Sequence, residues 1–248
     1  MNQPNFPLLT IILAVKDPPA AQFDACIASI AALRNSPRFD LVIVTGGSLP
    51  AMAESFRARL HRVHIVEQEP HGIYQAYNRG LDDADTPYVM IMGSDDMLLP
   101  GLDEVVDSIK AGEMPHIVAA RALMQNIGIT GPSRFRWGLI FRNWCQQGLL
   151  YRIDVFATRR FDCKYRVQAD HRLNMELVSD PRTVVRRCDD VICHFSSGGF
   201  SSTVPDWIFR EDMPAMVRTY YGRFFWLVAL AKRQFADLVK GRSRMKKS

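Results

Sequence analysis

The sequence has no closely spaced cysteine pair. Its five cysteines are an odd set without a C-x-x-C motif. This pattern argues against a disulfide framework and against a structural zinc site. We therefore expect reduced and mostly buried thiols. The five residues are Cys26, Cys145, Cys163, Cys188 and Cys193.

Signals for export and membrane insertion are also absent. The start, MNQPNFP, has no positive segment followed by an apolar one, and no apolar run reaches transmembrane length. We see no internal repeat and no low-complexity linker. With 248 residues and 48% hydrophobic content the chain can bury one large core. These features predict one cytosolic domain followed by a tail.

The body of the chain has little excess charge. The net charge of +5 arises because the segment from Arg218 onward carries +8, which leaves about −3 for the remainder. A basic balance that comes from a tail does not indicate a nucleic-acid-binding domain. We therefore expect no nucleic-acid partner.

Strand and helix patterns alternate through the first half. Apolar runs at Leu8 to Val15, Phe39 to Val44, His64 to Glu67 and Tyr88 to Met92 predict strands. Helical spacing follows the first of them and recurs around Phe56 and from Ile73 to Leu81. The βαβαβαβ order predicts an α/β, Rossmann-like, mostly parallel sheet flanked by helices.

Three loops should meet at the carboxyl edge of this sheet. They contain Lys16 and Asp17 just after Val15, Gly46-Gly47-Ser48, and Ser94-Asp95-Asp96. Ligands bind at this edge in open α/β sheets, and Gly-Gly lets backbone approach a ligand closely. The loops predict a nucleotide site, although Gly-Gly-Ser is also an ordinary turn sequence.

Asp95 and Asp96 form an adjacent acidic pair after an unbroken apolar strand. Two such carboxylates repel each other, and a divalent cation with a preference for oxygen ligands would neutralise them. The alternative is that the pair caps the helix that begins near Pro100, since Asp and Ser favour caps and turns.

The stretch from Gly72 to Pro100 resembles the inverting glycosyltransferases of family 2, which have the GT-A fold. The resemblance rests on Gly72-Ile73-Tyr74, Ala76, Asn78, Gly80 and Ser94-Asp95-Asp96 in the family's order and spacing. It implies that a nucleoside diphosphate sugar is bound with Mn²⁺ or Mg²⁺. Its implied metal ligands are Asp96 and Asp95. Its implied nucleotide-binding residues are Val15, Lys16, Asp17, Gly46, Gly47, Tyr74, Asn78, Ser94 and Asp95. Thr45 departs from the family, which commonly has an acid before Gly-Gly.

The second half extends the resemblance. Asp170 matches the carboxylate that the family uses as catalytic base, and Gln147 matches a family Gln on the acceptor side, although Gln146 stands where His is usual. Gly198 and Gly199 resemble a Gly-rich acceptor-side loop. From the residues alone Asp170 could instead cap a helix, and Asp162 is a second candidate base.

Other features of the second half are independent of the resemblance. Ile117 to Met124 predicts a further strand. Gly128 to Trp144 is an irregular segment rich in Arg and aromatics, which is either an acceptor-side loop that contacts sugar faces or phosphate or, as we favour, an insertion packed on the body. Val184 to Arg187 and Val191 to Phe195 predict a hairpin joined through Cys188 to Asp190. His194 is a possible additional metal ligand, but a single His beside an apolar strand is more often structural.

Residues 206–248 form the predicted tail, after a GT-A domain at 1–205. A helix should begin near Asp206 and continue through clustered aromatics from Tyr220 to Trp226 into the basic end KGRSRMKKS. Such a helix suits an anionic membrane surface. The alternative is that these aromatics pack on the body or on a second protomer.

Together with the resemblance, which implies the donor class and inversion, these features predict a metal-dependent enzyme that transfers a sugar from a nucleoside diphosphate to a hydroxyl. The resemblance implies polysaccharide assembly on a saccharide or lipid-linked saccharide acceptor, at the inner face of the cell membrane. Two alternatives stay open. One is a nucleotidyltransferase on a similar sheet, and the other is a catalytically weakened scaffold that binds a nucleotide.

Overall fold

The computed structural model describes residues 6–69, 71–109, 113–196 and 204–245, the last range without the side chains of 232, 233 and 235–245. The strands are β1 Leu9–Val15, β2 Phe39–Thr45, β3 Arg62–Glu67, β4 Tyr88–Gly93, β5 Met97–Leu98, β6 Ile117–Met124, β7 Gly128–Thr130, β8 Leu149–Arg152 and β9 Val185–Phe195. The helices are α1 Ala20–Ala31, α2 Glu54–Arg57, α3 Ile73–Asp82, α4 Gly101–Asp107, α5 Ala169–Ser179 and α6 Trp207–Met245.

All strands join one sheet in the order β3-β2-β1-β4-β8-β6-β9-β5, with β7 paired to β6. The first four strands of this order are parallel, and Val15 pairs with Thr45 while Ala14 pairs with Gly93. Their carboxyl ends therefore lie side by side, which confirms the predicted βαβαβαβ order and the shared edge of the sheet.

The second half of the sheet begins with β8, which runs antiparallel to both β4 and β6. The hairpin predicted between Val184 and Phe195 is wrong. This segment is a single strand, β9, that pairs parallel to β6 from Ile117 opposite Val185 to Met124 opposite Phe195. Its register shifts after Ala119, so the polar residues around Asp189 and Asp190 form a bulge and not a turn.

Alternate residues of the central strands point into two cores. On β1, Ile11 and Leu13 pack in the core that α1 covers with Phe23 and Ile27, whereas Ile12 faces the other side. That second core also takes residues from α3, α5 and α6. A strand covered on both faces reads as a continuous apolar run, as the sequence showed. The expectation of mostly buried thiols is wrong, because Cys145 and Cys188 are partly exposed and Cys163 is exposed.

The last helix begins on the body. Asp206 accepts a hydrogen bond from the Phe209 backbone N–H at 3.1 Å and so caps α6, as expected for a helix that begins there. Phe209, Met216 and Val217 are buried against the body, and α6 kinks at Gly222, whose φ is 87°. Among the described residues, no helix is both long and apolar enough to cross a membrane.

Candidate active site

A cleft of about 590 Å³ opens at the carboxyl edge of β1 and β2. Val15, Lys16, Gly46 and Tyr74 line it, so four of the predicted nucleotide-binding residues meet in one cavity. Gln68, Glu69, His71 and Arg166 also line the cleft, and no motif in the sequence had pointed to them. The cleft therefore combines apolar walls with several polar groups, as small-molecule sites do.

Asp17 joins the first loop to the second. Its Oδ1 accepts hydrogen bonds from the Ser48 backbone N–H and hydroxyl, both at 2.9 Å, and these bonds lower the pKa of Asp17. A Cβ atom at Gly47 would lie 2.5 Å from Asp17 Oδ1. A side chain at this position would therefore displace the Asp17 carboxylate from its place beside Ser48.

Thr45 is engaged within its own loop. Its hydroxyl donates to the Gly47 carbonyl at 2.8 Å and accepts from the Gly47 N–H at 3.2 Å. The side chain is buried. Thr45 therefore shapes the second loop, where the family commonly has an acid.

Asp96 is almost completely buried, with 1% of its surface exposed. Its Oδ2 accepts from the Gly93 N–H at 3.0 Å and from Gln147 Nε2 at 2.8 Å, while Oδ1 accepts from the Ser196 N–H at 3.2 Å. Burial, and next the charge of Asp95, raise the pKa of Asp96 to about 7. The alternative that the pair caps α4 is wrong, because the cap residue is Pro100 and no side-chain cap bond forms.

Asp170 lies in the first turn of α5 and is held through both carboxylate oxygens. The Tyr74 hydroxyl lies 2.8 Å from Oδ1, and Asn143 Nδ2 donates to Oδ2 at 2.6 Å. Burial raises the pKa of Asp170 despite these bonds. The alternative that Asp170 is a helix cap is wrong, since the cap position is Gln168.

Asn143 is oriented by two further contacts. Its Oδ1 accepts from the Trp144 N–H at 2.9 Å and from Asn174 Nδ2 at 3.0 Å, so its Nδ2 must point to Asp170. Tyr151 donates to Asn174 Oδ1 at 2.7 Å and extends the network into the core. Sequence reasoning missed Asn143 because nothing in the local pattern separates it from its irregular surroundings.

Tyr74 therefore connects the cleft to Asp170. Its side chain lines the cleft, and its hydroxyl contacts the Asp170 carboxylate, whose pKa is raised. The family model of glycosyl transferase family 2 matches residues 10–163, a stretch that runs from β1 through β8. The chain belongs to glycosyltransferase family 2. The resemblance to family 2 that the sequence indicated is thereby confirmed.

Relatives of this family 2 chain support the assignment. It is 32% identical over 228 residues to a PGL/p-HBAD biosynthesis glycosyltransferase of Mycobacterium bovis (strain BCG / Pasteur 1173P2), with 86% of each chain covered. The protein of the same description from Mycobacterium tuberculosis (strain ATCC 25618 / H37Rv) is equally similar.

Solved structures share the fold. The structure of S. aureus TarS superposes with a TM-score of 0.66 at 14% identity, over 85% of this chain and 39% of TarS. The shorter TarS 1-349 with UDP-GlcNAc gives a TM-score of 0.62 at 14% identity, over 86% of this chain and 65% of that one. The chain thus spans less than two thirds of these TarS chains. The likeness confirms the predicted GT-A fold.

A metal site in this glycosyltransferase would lie over Gly93. A Cβ atom there would be 2.5 Å from Asp95 Oδ1 and 3.3 Å from Asp96 Oδ2, so the two carboxylates converge above it. No group of three or more His, Cys, Asp or Glu side chains converges in the part of the chain that the structure describes, and His194 is therefore in no such cluster. Two carboxylates fit a cation that takes its remaining ligands from water and phosphate.

Several predicted residues lie elsewhere. Both ends of the Asn78 amide are bonded to the backbone of Phe161, at 2.9 and 3.0 Å, so Asn78 ties α3 to that segment. Asp162 accepts from the Lys164 N–H at 3.2 Å in a turn of its own. Ser94 follows β4 in a turn and is partly exposed. Gly198 and Gly199 lie outside the described residues.

Proposed function

We propose that this family 2 enzyme transfers a sugar from a nucleoside diphosphate sugar to an acceptor hydroxyl with inversion, and that Asp170 is its catalytic base. The supporting observation is the position of Asp170. It is partly exposed, it has a raised pKa, and Tyr74 links it to the cleft. The nucleotide roles of the cleft residues and the acceptor-side role of Gln147 remain part of this proposal.

Asp170 would take the proton from the acceptor hydroxyl as its oxygen attacks the anomeric carbon. A base with a raised pKa is suited to this step, since general bases work best with a pKa near the working pH. Attack from the side opposite the leaving group inverts the anomeric centre. Tyr74 and Asn143 would fix the carboxylate in one orientation during the transfer.

The cleft would hold the nucleotide. The TarS structures solved with UDP and with UDP-GlcNAc support a nucleoside diphosphate sugar as the donor class. Val15, Lys16, Gly46 and Tyr74 would contact it, with Lys16 at the mouth as a cation for phosphate. Asp17 would act through Ser48, by holding the two loops together.

Asp95 and Asp96 would hold Mn²⁺ or Mg²⁺ together with the diphosphate. When bound, the cation would stabilise the negative charge that develops on the leaving diphosphate. Asp95 has the accessible carboxylate, because no hydrogen bond to it is found among the described residues and it is partly exposed. Asp96 would contribute through Oδ1, which accepts a single N–H, because its Oδ2 on the side of Gly93 already accepts two hydrogen bonds.

The acceptor would be a saccharide or a lipid-linked saccharide used in surface polysaccharide assembly. The mycobacterial relatives are named for PGL/p-HBAD biosynthesis, which supports a biosynthetic role. We further propose that the enzyme works at the cytoplasmic face of the membrane, held by the last helix and its basic end, where it would bind anionic lipid.

A donor panel tests this function. Thermal shift would be measured with UDP-, GDP-, dTDP- and CMP-linked sugars, with and without Mn²⁺, and donor turnover would be followed by product analysis. One sugar nucleotide should stabilise the protein selectively, by roughly 2.7 kcal/mol at a hundred times its dissociation constant. Release of nucleoside diphosphate supports the proposal. Release of pyrophosphate, or no binding of any donor, would contradict it.

A further inference from the structure

Aromatic rings from two distant segments form one exposed surface. We call it the aromatic surface, and it consists of Phe135, Trp137, Phe141, Phe224 and Phe225. Trp137 stacks between Phe135 and Phe225, with ring centroids 5.1 and 6.0 Å away, and Phe224 contacts Phe225 at 5.3 Å. Phe135, Phe141 and Phe224 are 55%, 48% and 71% exposed. Part of the tail thus continues a surface that begins on the body.

Both segments are basic and carry no acid. The sequence has no Asp or Glu from Met114 to Ile153 or from Met213 to Ala236. Arg134, Arg142 and Arg223 are exposed beside the aromatic residues. The surface is therefore complementary to negative charge, and it would repel a second copy of itself because like charges would face each other.

The aromatic surface borders the proposed catalytic base. Within the 3₁₀ helix Arg136–Ile140, Leu139 and Ile140 are buried while Trp137 faces outward. Two residues after Phe141 the same chain segment reaches Asn143, which contacts Asp170 at 2.6 Å. A surface that binds at Phe141 is thus close to the place where an acceptor hydroxyl would meet Asp170.

We propose that the aromatic surface docks on an anionic lipid bilayer and presents Asp170 to an acceptor carried by that membrane. Aromatic rings with flanking arginines suit the headgroup region, where the apolar ring is buried and the charge stays at the lipid phosphates. The docking surface is composite, since the segment 135–141 acts together with α6. This inference rests on the proposed function, because it supplies the acceptor's location.

Vesicle binding by the full-length protein tests the inference. Phe224→Ser and Phe141→Ser should each lower the affinity for vesicles of phosphatidylcholine and phosphatidylglycerol by about tenfold, the loss expected for most of one buried phenyl ring. Arg142→Gln should lower it by about fivefold at low salt. The matched control is Phe6→Ser, because Phe6 is 70% exposed and precedes β1 at the opposite end of the strand from the cleft. It should bind as the wild type does.

The outcomes separate the inference from the proposed function. The membrane inference would be overturned if the protein did not bind anionic vesicles, or if it bound vesicles of phosphatidylcholine alone equally well. Normal transfer to a soluble acceptor in the same experiment would leave the proposed function standing. Binding unaffected by Phe141→Ser would also overturn it, since the tail alone would then bind. Dimer dissociation by Phe224→Ser without loss of vesicle binding would assign the surface to a second protomer. Absent transfer with normal vesicle binding would instead overturn the proposed function.

Stability measurements guard against damage to the fold. Phe224→Ser should keep the melting temperature and the transfer rate to a soluble acceptor, because the replaced ring is mostly exposed. A fall in melting temperature that matches the loss of vesicle binding would place the ring in the core and overturn the inference.

Discussion

The Tyr74 hydroxyl lies 2.8 Å from Asp170 Oδ1 and 2.5 Å from the Val167 carbonyl oxygen. A phenol has one hydrogen, so it can donate fully to only one of these two acceptors. When Asp170 is protonated, the carboxyl donates to Tyr74 and Tyr74 donates to Val167. When Asp170 is ionised, Tyr74 can donate to its carboxylate, and this hydrogen bond lowers the pKa that burial raises. Tyr74 also lines the cleft, so the residue that orients the base lies beside the donor site.

Asp170→Asn should slow transfer strongly without loss of the fold. The amide oxygen can accept from Asn143, and the amide nitrogen can donate to Tyr74, which then donates to Val167. Transfer should fall by about 10² to 10⁴, the usual contribution of a positioned base, while donor affinity stays the same. Calorimetry with the nucleoside diphosphate and a transfer assay measure the two quantities.

Asp162→Asn is the matched control for this variant, because Asp162 is the other carboxylate that the sequence offers as a base. Its transfer rate should equal that of the wild type. Normal transfer by Asp170→Asn with loss in Asp162→Asn would move the base to Asp162.

Tyr74→Phe should shift the pH dependence of transfer. The Tyr74 hydroxyl lowers the pKa of Asp170 by hydrogen bonding, so its removal should raise that pKa further. The base must be deprotonated to act, and the acid limb of kcat/KM against pH should therefore move to higher pH. Tyr77→Phe serves as the control, since the Tyr77 ring contacts Tyr74 and Phe161 and, among the described residues, its hydroxyl makes no hydrogen bond to Asp170. Superimposable profiles for the wild type and Tyr74→Phe would contradict the assignment.

The stability of Asp170→Asn relative to the wild type should depend on pH. Burial raises the pKa of Asp170 above its ordinary 3.8, so folding favours the protonated carboxyl. Its contribution to stability is complete below pH 3.8 and is lost as pH rises through the folded pKa. The melting temperature of Asp170→Asn should therefore rise relative to that of the wild type as the pH increases from about 4. If differential scanning calorimetry gave the same difference in melting temperature at every pH, the pKa of Asp170 would not be raised by folding.

Asp95→Asn and Asp96→Asn should fail in different ways. Asp95→Asn should keep its melting temperature but lose the Mn²⁺-dependent gain in nucleoside diphosphate affinity, because Asp95 has the accessible carboxylate. Asp96→Asn should lose roughly 1–3 kcal/mol of stability, because the NH₂ group of the new side chain cannot accept a hydrogen bond. At least one of the three N–H donors around Asp96 would then lose its acceptor. Denaturant unfolding and calorimetry measure these effects. An Asp95→Asn enzyme with full Mn²⁺ dependence would place the cation elsewhere.

Local pattern was enough to predict the frame of the fold. The apolar runs of β1, β2 and β4 indicate strands covered on both faces, and loops after neighbouring parallel strands must share an edge. The motif from Gly72 to Asp96 was enough to identify the family, because its residues lie within one continuous stretch. One of them, Gly80, allows α3 to pack closely on β1, since a Cβ there would lie 2.4 Å from Ile12 Cγ2.

Contacts between distant residues were decided only by the tertiary structure. Cys188 to Asp190 resemble a turn in sequence, yet they form a bulge because β9 pairs with β6 along its length. Asn78 belongs to the family motif, and only the structure shows that its amide bonds to the backbone of Phe161. Asn143 reaches Asp170 because the segment after the 3₁₀ helix is folded against α5. Periodicity reports which face of an element is buried, whereas the partner of a polar side chain depends on which elements the sheet brings together.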